Sequence, residues 1–301
     1  MDVGIGLPLG VPGVGRDDVL EWARRAERYG FASLGAIDRV VFGNWEPLIG
    51  LAAVAAVTER IALQTAILIV PNRGNGALLA KQAATLQALS AGRLRLGVGL
   101  GARIDDYRSV ATDPAGRGAA LDRALAEMAA VWDGEDRGLE GPIGPSPPAP
   151  PVFVGGFAPA AFARAARFGS GWIGAGPPAA IAAGRAQAEA AWEAAGREDP
   201  PRVTAIAYFG LGPRALESAA TYLGAYYRFA GRPEHLMPGD AMANLHPEDL
   251  VAAALTDAAA VRGAAAAFAE SGCDELILLP TDTDPTQVDH LAEVLGEGVP
   301  G

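Results

Sequence analysis

Residues 59–101, ERIALQTAILIVPNRGNGALLAKQAATLQALSAGRLRLGVGLG, decide the fold class. An apolar run, a loop, a long amphipathic stretch, a Gly-Arg turn and a second apolar run follow one another, the order of a strand, a crossover helix and a second strand. Two strands joined in this way are parallel, and the crossover helix covers one face of their sheet. The glycines Gly97, Gly99 and Gly101 open the backbone at the end of the second strand, where α/β proteins place ligands.

Outward from that unit the alternation repeats. Strand-like segments stand at Val3 to Leu7, Ser33 to Ile37, Ile61 to Val70, Leu94 to Leu100, Val152 to Val154, Trp172 to Gly174, Val203 to Phe209 and Leu276 to Leu279. That makes eight, the number a closed (β/α)8 TIM barrel needs. The intervening stretches carry apolar residues at helical spacing, as in Val19, Trp22, Ala23 and Ala26, or Leu121, Leu125, Met128 and Trp132. An open doubly wound sheet is disfavoured, because the first strand runs into Pro8 rather than a phosphate-binding glycine loop. The 301 residues are therefore expected to form a single barrel domain. Two segments interrupt the repeat: a Pro/Gly-rich connector at 134–151, and 231–249, an inserted lid-like loop before the last helix-strand unit.

Half of the chain is hydrophobic but only 7% is aromatic, so the core must be built from Ala, Leu, Val and Ile. The net charge of −11, with no dense Lys/Arg block, argues against nucleic acid or an anionic membrane as partner. The lone Cys273 and the absence of a cleavable leader or a span of ~20 apolar residues point to a cytoplasmic location. His235, His246 and His290 have no metal-ligand spacing, so no metal site is indicated.

The opening GIGLP, Ala36-Ile37-Asp38, the block ATLQALSAGRLRLGVGLG, the later PPVFVGGFAPAAFARAARFGSGW and the terminal ESGCDELILLP together resemble the bacterial luciferase-like superfamily. These are barrel oxidoreductases that use reduced FMN or an 8-hydroxy-5-deazaflavin. The resemblance implies either monooxygenation of a small organic substrate with FMN or hydride transfer with the deazaflavin, a separate reductase as possible partner, and a homo-oligomer. It implies roles for particular residues as well. Asp38 and Arg39 end the second strand, where relatives carry an Asp-His pair and the His moves protons. Here Asp38 either accepts a bond from the cofactor ring or orients a neighbour, and Arg39 can hold an anion but cannot deprotonate. A plain surface ion pair is the other reading of these two.

Ala66 and Ile67 fall where the family places a bulge, often with a non-proline cis peptide, against the flavin; an ordinary buried strand is the lesser alternative. Gly99, Gly101 and Tyr107 belong to the following cofactor loop, with an ordinary helix-start role equally open to Tyr107, although relatives that oxidise sugar phosphates carry a Glu where this chain has Ala102. Val154, Gly155, Gly156 and Phe157 precede a helix and suit a cofactor phosphate. His235 or His246, in the inserted loop, could replace the missing acid/base, since imidazole titrates near neutral pH. A degenerate, non-catalytic barrel that binds a ligand or a partner subunit is the reading from another class.

Overall fold

The computed structural model describes residues 1–228, 236 and 246–296. Nine strand segments make one all-parallel sheet: β1 (Asp2–Gly6), β2 (Ser33–Ala36), β3 (Ala62–Thr65), β4 (Leu68–Ile69), β5 (Leu94–Gly99), β6 (Val152–Gly155), β7 (Gly171–Ala175), β8 (Arg202–Phe209) and β9 (Glu275–Pro280). Their order, β3-β2-β1-β9-β8-β7-β6-β5, is closed by pairing of β3 with β5. The sheet is thus a barrel of eight staves, the third of which is broken into β3 and β4. The expected strand Ile61 to Val70 is therefore not continuous. It is interrupted at a cis Ala66–Ile67 peptide and ends in a 3₁₀ turn over Val70–Arg73.

The break is a bulge, and its register shows it. Leu63 pairs with Leu94, whereas Leu68 pairs with Val98, so one extra residue has entered on the third stave. A strand's side chains alternate between faces, and a shift of one residue exchanges those faces. Leu63 and Leu68 accordingly both join the main core, and Ile67 is freed to sit over the barrel mouth. Space for the bulge comes from absent side chains on β5. A Cβ at Gly97 would lie 2.0 Å from the Thr65 carbonyl oxygen, and one at Gly99 2.0 Å from Ile67 Cδ1. These two glycines first serve the bulge rather than a ligand directly.

Around the barrel run α1 (Arg16–Arg28), α2 (Pro47–Ala55), α3 (Gly76–Leu89), α4 (Ile104–Ser109), α5 (Arg117–Trp132), α6 (Pro159–Phe168), α7 (Pro178–Ala194), α8 (Ala215–Tyr226), α9 (Pro247–Ala252), α10 (Ala258–Glu270) and α11 (Thr286–Leu295). On α1 the buried residues are Val19, Trp22, Ala23 and Ala26, the stripe expected from spacing. On α5 they are Leu121, Leu125, Met128 and Val131, while Trp132 is half-buried and donates its indole N–H to Ala80. The Gly-Arg turn is a staple: Arg93 donates to the carbonyls of Ala55, Thr58, Ile61 and Ser90, satisfying groups at the ends of α2 and α3 that no helix bond can reach. Of the lid-like loop, 231–235 and 237–245 lie outside the described residues, and its end is helical from Pro247.

The barrel interior is layered. At the N-terminal end the fully buried Glu275 accepts from Ser33 at 2.6 Å and from Arg95 at 2.6 Å, with Arg202 at 3.3 Å. Above it lie Phe153, Ile173 and Ala66, packed with Ile67 and Ile206. Higher still, Tyr222 and Tyr226 of α8 pack with Ile37, Leu279, Tyr208 and Tyr227.

Because Gly97 faces backbone rather than a flexible side chain, Gly97→Ala is expected to destabilise the fold by about 3 kcal/mol. Gly138→Ala, at a position with open space and no left-handed backbone, is expected to change nothing. Denaturant midpoints of the two variants check the pair.

Candidate active site

The strand ends meet in a recess of about 150 Å³ lined by Ile37, Asp38, Arg39, Ala66, Ile67, Ile69, Gly101, Ala102, Arg103, Asp106, Tyr226 and Tyr227. Of the residues expected there, Asp38, Arg39, Ala66, Ile67 and Gly101 come together.

Asp38 is buried and its carboxylate is occupied. Oδ2 accepts from the Ile69 N–H at 2.8 Å and from Arg73 Nη2 at 2.7 Å. Arg73 reaches on to Glu46, whose other oxygen caps α2 by accepting from Ile49 N–H at 2.7 Å. Of the readings open in sequence, the orienting role is the one this geometry fits: Asp38 ties the residue that follows the bulge to the start of a helix. Burial pushes its carboxyl above the ordinary range, while Arg73 and the Ile69 N–H pull the other way.

Arg39 is buried as well, which removes the surface-pair reading. Nε donates to Asp106 Oδ2 at 2.9 Å and Nη2 to the Val41 carbonyl at 2.9 Å. Its Cζ lies 5.3 Å from the centroids of both Phe42 and Tyr226. Asp106 Oδ1 in turn takes the N–H groups of Val40 and Val41, at 3.0 and 2.7 Å. The loop after β2 is thereby clamped to α4. Arg103 Cζ stands 4.7 Å from the same Tyr226 ring. Burial, with Arg39 nearby, lowers Arg103 to about 10.

Gly99 supports Ile67 from below, and Gly155 joins it, since a Cβ there would stand 3.2 Å from Ile67 Cγ2. Val154 is a core residue of β6. Gly156 has a φ of +130°, open to glycine, and its carbonyl accepts from the Trp172 indole at 2.7 Å. Trp172 itself is fully buried, and Phe157, exposed, meets it edge-on at 5.5 Å. The N-cap Ala158 offers no side-chain bond to α6, so the first-turn N–H groups of that helix have no side-chain cap.

Two expectations are corrected. Tyr107 does not face the recess: its ring is fully buried and its hydroxyl donates to Leu100 O at 2.5 Å, because the short helix α4 turns Asp106 and not Tyr107 towards Arg39. His246 is exposed at the start of α9, where its backbone N–H donates to Asp249, and it is not part of the recess. His235 lies outside the described residues. Sequence reasoning passed over Glu46, Phe42 and the tyrosines of α8. The spacing of Tyr222 and Tyr226 was the available signal, and it reads first as a core stripe. Among the described residues no group of three His, Cys, Asp or Glu could hold a metal, and no helix is long and apolar enough to cross a membrane.

The model of a family described as luciferase-like monooxygenase matches residues 2–284. The chain belongs to the luciferase-like monooxygenase family. It is a luciferase-like oxidoreductase with the family's barrel. An F420-dependent glucose-6-phosphate dehydrogenase from Beutenbergia cavernae is 33% identical over 173 residues, which cover 52% of this chain and 52% of that protein. Among solved structures, an F420-dependent secondary alcohol dehydrogenase in complex with an F420-acetone adduct superposes with a TM-score of 0.77 at 19% identity, covering 97% of each chain. The oxygenating constituent of 3,6-diketocamphane monooxygenase from Pseudomonas putida, a type II Baeyer-Villiger enzyme in complex with FMN, does so with a TM-score of 0.73 at 19% identity, covering 99% of this chain and 98% of that one.

The tyrosines yield a pH prediction. Burial raises the hydroxyls of Tyr208, Tyr222, Tyr226 and Tyr227, and that of Tyr107 to about 12. An unfolded tyrosine releases its proton near about pH 10, so above that pH the folded state holds protons that the unfolded chain has lost. Stability is then complete below about pH 10 and falls as pH rises further; Arg93 and Arg103, lowered by burial, oppose this as two groups against five. Denaturation midpoints across that range, with tyrosinate absorbance, are expected to show the fall coinciding with late, cooperative tyrosine ionisation.

Proposed function

We propose that this barrel carries an 8-hydroxy-5-deazaflavin at its mouth and transfers hydride between it and a small organic substrate, without oxygen. The single observation that carries the reading is the Ile67 platform, a part-exposed residue at the barrel mouth, given room by Gly99, where a Cβ would collide with it, and by Gly155, where one would press on it. The apolar Ile67 side chain there suits the face of a flat ring. The turn Gly155-Gly156-Phe157 leads into the start of α6, where Ala158 gives no side-chain cap, which suits the cofactor phosphate. The named F420-dependent relative favours the deazaflavin. When bound, such a group supplies two-electron hydride chemistry, and the protein supplies orientation and electrostatics.

What this chain adds is specific. Asp38, through Ile69, holds the platform in place. Arg39 keeps a fixed positive charge beside it where relatives resemble an Asp-His site. Ala102 brings no carboxylate, so oxidation of a sugar phosphate is not part of the proposal. A second reading, oxygenation of a small substrate with reduced FMN from a separate reductase in the cytoplasm, is favoured by the family's description and by the FMN-bound structural neighbour.

Parallel fluorescence titrations with the deazaflavin and with FMN, each oxidised and reduced, decide between the two. Preference for the deazaflavin is expected; preference for reduced FMN supports the monooxygenase, and binding of neither returns the chain to a non-catalytic barrel. Gly155→Val, which obliges Ile67 to move, is expected to weaken cofactor binding by roughly tenfold or more, about 1.4 kcal/mol. Unchanged affinity in a folded variant would remove the phosphate and platform assignment.

The chain is further proposed to pair with a second copy through α2 and α3. Ile49 at 72% and Leu89 at 64% exposure, with Leu78, flank a surface recess of about 490 Å³ between these helices. Apolar side chains so grouped on helix faces mark an association surface. Light scattering is expected to give a dimer for the native chain and a monomer for the double variant Ile49→Glu, Leu89→Glu.

A further inference from the structure

The guanidinium of Arg39 is incompletely used. Nε and Nη2 have acceptors, but Nη1 is buried and meets none among the described residues. A buried donor without a partner is costly, and a folded protein rarely leaves a charged one so. Arg39 lines the recess at the barrel mouth. The other polar groups of that wall do not remedy the shortage. The Asp106 carboxylate already takes Arg39 Nε and the N–H groups of Val40 and Val41. Asp38 takes Ile69 and Arg73.

Arg103, the second cation of that wall, packs on the Tyr226 ring and donates to the Tyr226 carbonyl; the rest is apolar or aromatic. Ile37, Ala66, Ile67 and Ile69 form one side, and the Tyr226 ring, with Phe42 edge-on to it at 5.1 Å and Tyr227 at 5.0 Å, forms the other. Aromatic walls around a cation accept a flat body and leave the in-plane N–H edge of the guanidinium for an oxygen.

We infer that the mouth is built for a substrate with an anionic oxygen, as a carboxylate or an enolate, on a flat apolar body, and that Arg39 Nη1 receives that oxygen. This deepens the oxidoreductase reading and rests on it for the word substrate, but the anion site stands on Arg39 alone. Arg39 is then a specificity-determining residue. A ligand lacking the oxygen leaves the buried donor unsatisfied, and a site of that kind rejects such a ligand strongly.

The test needs no turnover. Calorimetric titration of the intact protein with benzoate and with benzamide compares two probes of one shape, of which only the first is an anion. Benzoate is expected to bind at least about tenfold more tightly, with the preference shrinking as salt is raised. Arg39→Met is expected to abolish the preference by weakening benzoate far more than benzamide, and Arg39→Lys to keep part of it. Repeating the titration with the protein saturated by its preferred cofactor is expected to leave benzoate affinity undiminished. Equal affinity for the two probes in the native protein overturns the inference, and so does a preference that survives Arg39→Met. Competition between benzoate and cofactor overturns it also, by giving Nη1 to the cofactor. Should Arg39→Met not fold, the native comparison and Arg39→Lys still decide. An Arg39-dependent preference in a protein that binds neither flavin supports the anion site while the oxidoreductase reading fails, so the two failures are distinguishable.

Discussion

Everything at the mouth depends on one steric constraint, the fit of the Ala66–Ile67 bulge against a stretch of β5 and β6 that carries no side chains. With Gly97 and Gly99 in place, the Thr65 carbonyl and the Ile67 side chain occupy volume that any Cβ would deny them. The extra residue of the bulge then shifts the register, returns Leu68 to the outer core and leaves Ile67 at the opening. Close packing makes such an arrangement discrete, since there is no intermediate position in which the stave could half-bulge. The glycines and the bulge are parts of one device, and the part-exposed face of Ile67 is its product.

The polar network above the bulge is arranged around the same point. Ile69, the second residue paired with β5 above the bulge, gives its N–H to Asp38, and Asp38 is held in turn by Arg73, which Glu46 holds. Burial alone would favour a neutral Asp38. The guanidinium of Arg73 opposes that, and the pairing of a buried charge with good hydrogen bonds is what makes its position specific rather than merely tolerated. Glu46 caps the helix whose exposed face carries Ile49, so the apolar outer surface and the site share a strut.

The alternation of apolar runs and amphipathic stretches made the barrel readable from sequence, and all eight staves stand where those runs lie. What periodicity could not show is where a run changes face. The residues ILIV are apolar throughout, so a bulge inside them leaves no trace in hydropathy, and only the family resemblance located it at Ala66 and Ile67. Partnerships were hidden for a different reason. Asp38 and Arg73, or Arg39 and Asp106, are far apart along the chain, and nothing local says that they meet. Tyr107 was misjudged because a neighbouring acidic-Tyr pair presents two polar groups and a short helix can turn only one of them towards the loop. The tyrosines of α8 were visible as a stripe, yet a stripe of large residues on a helix is ordinarily core, and three-dimensional closure alone puts it at a cation.

A guanidinium at residue 39, where the family resemblance implies an imidazole, sets what its surroundings must do. An imidazole can become neutral when it is desolvated; a guanidinium cannot, and must be given charge or π density to remain buried. Asp106 provides the first and Phe42 with Tyr226 the second. Tyr226 also packs on Tyr227, and burial holds the hydroxyls of these two protonated and keeps further negative charge away from the site. The aromatic shell and the arginine are therefore mutually dependent: without the rings the cation would be undersolvated, and without the cation the tyrosines would surround an apolar gap with no reason for a buried carboxylate beside it. A fixed charge in a largely apolar recess selects by whether the ligand completes its hydrogen bonding, which is a property of the ligand's oxygen and not of the ambient pH.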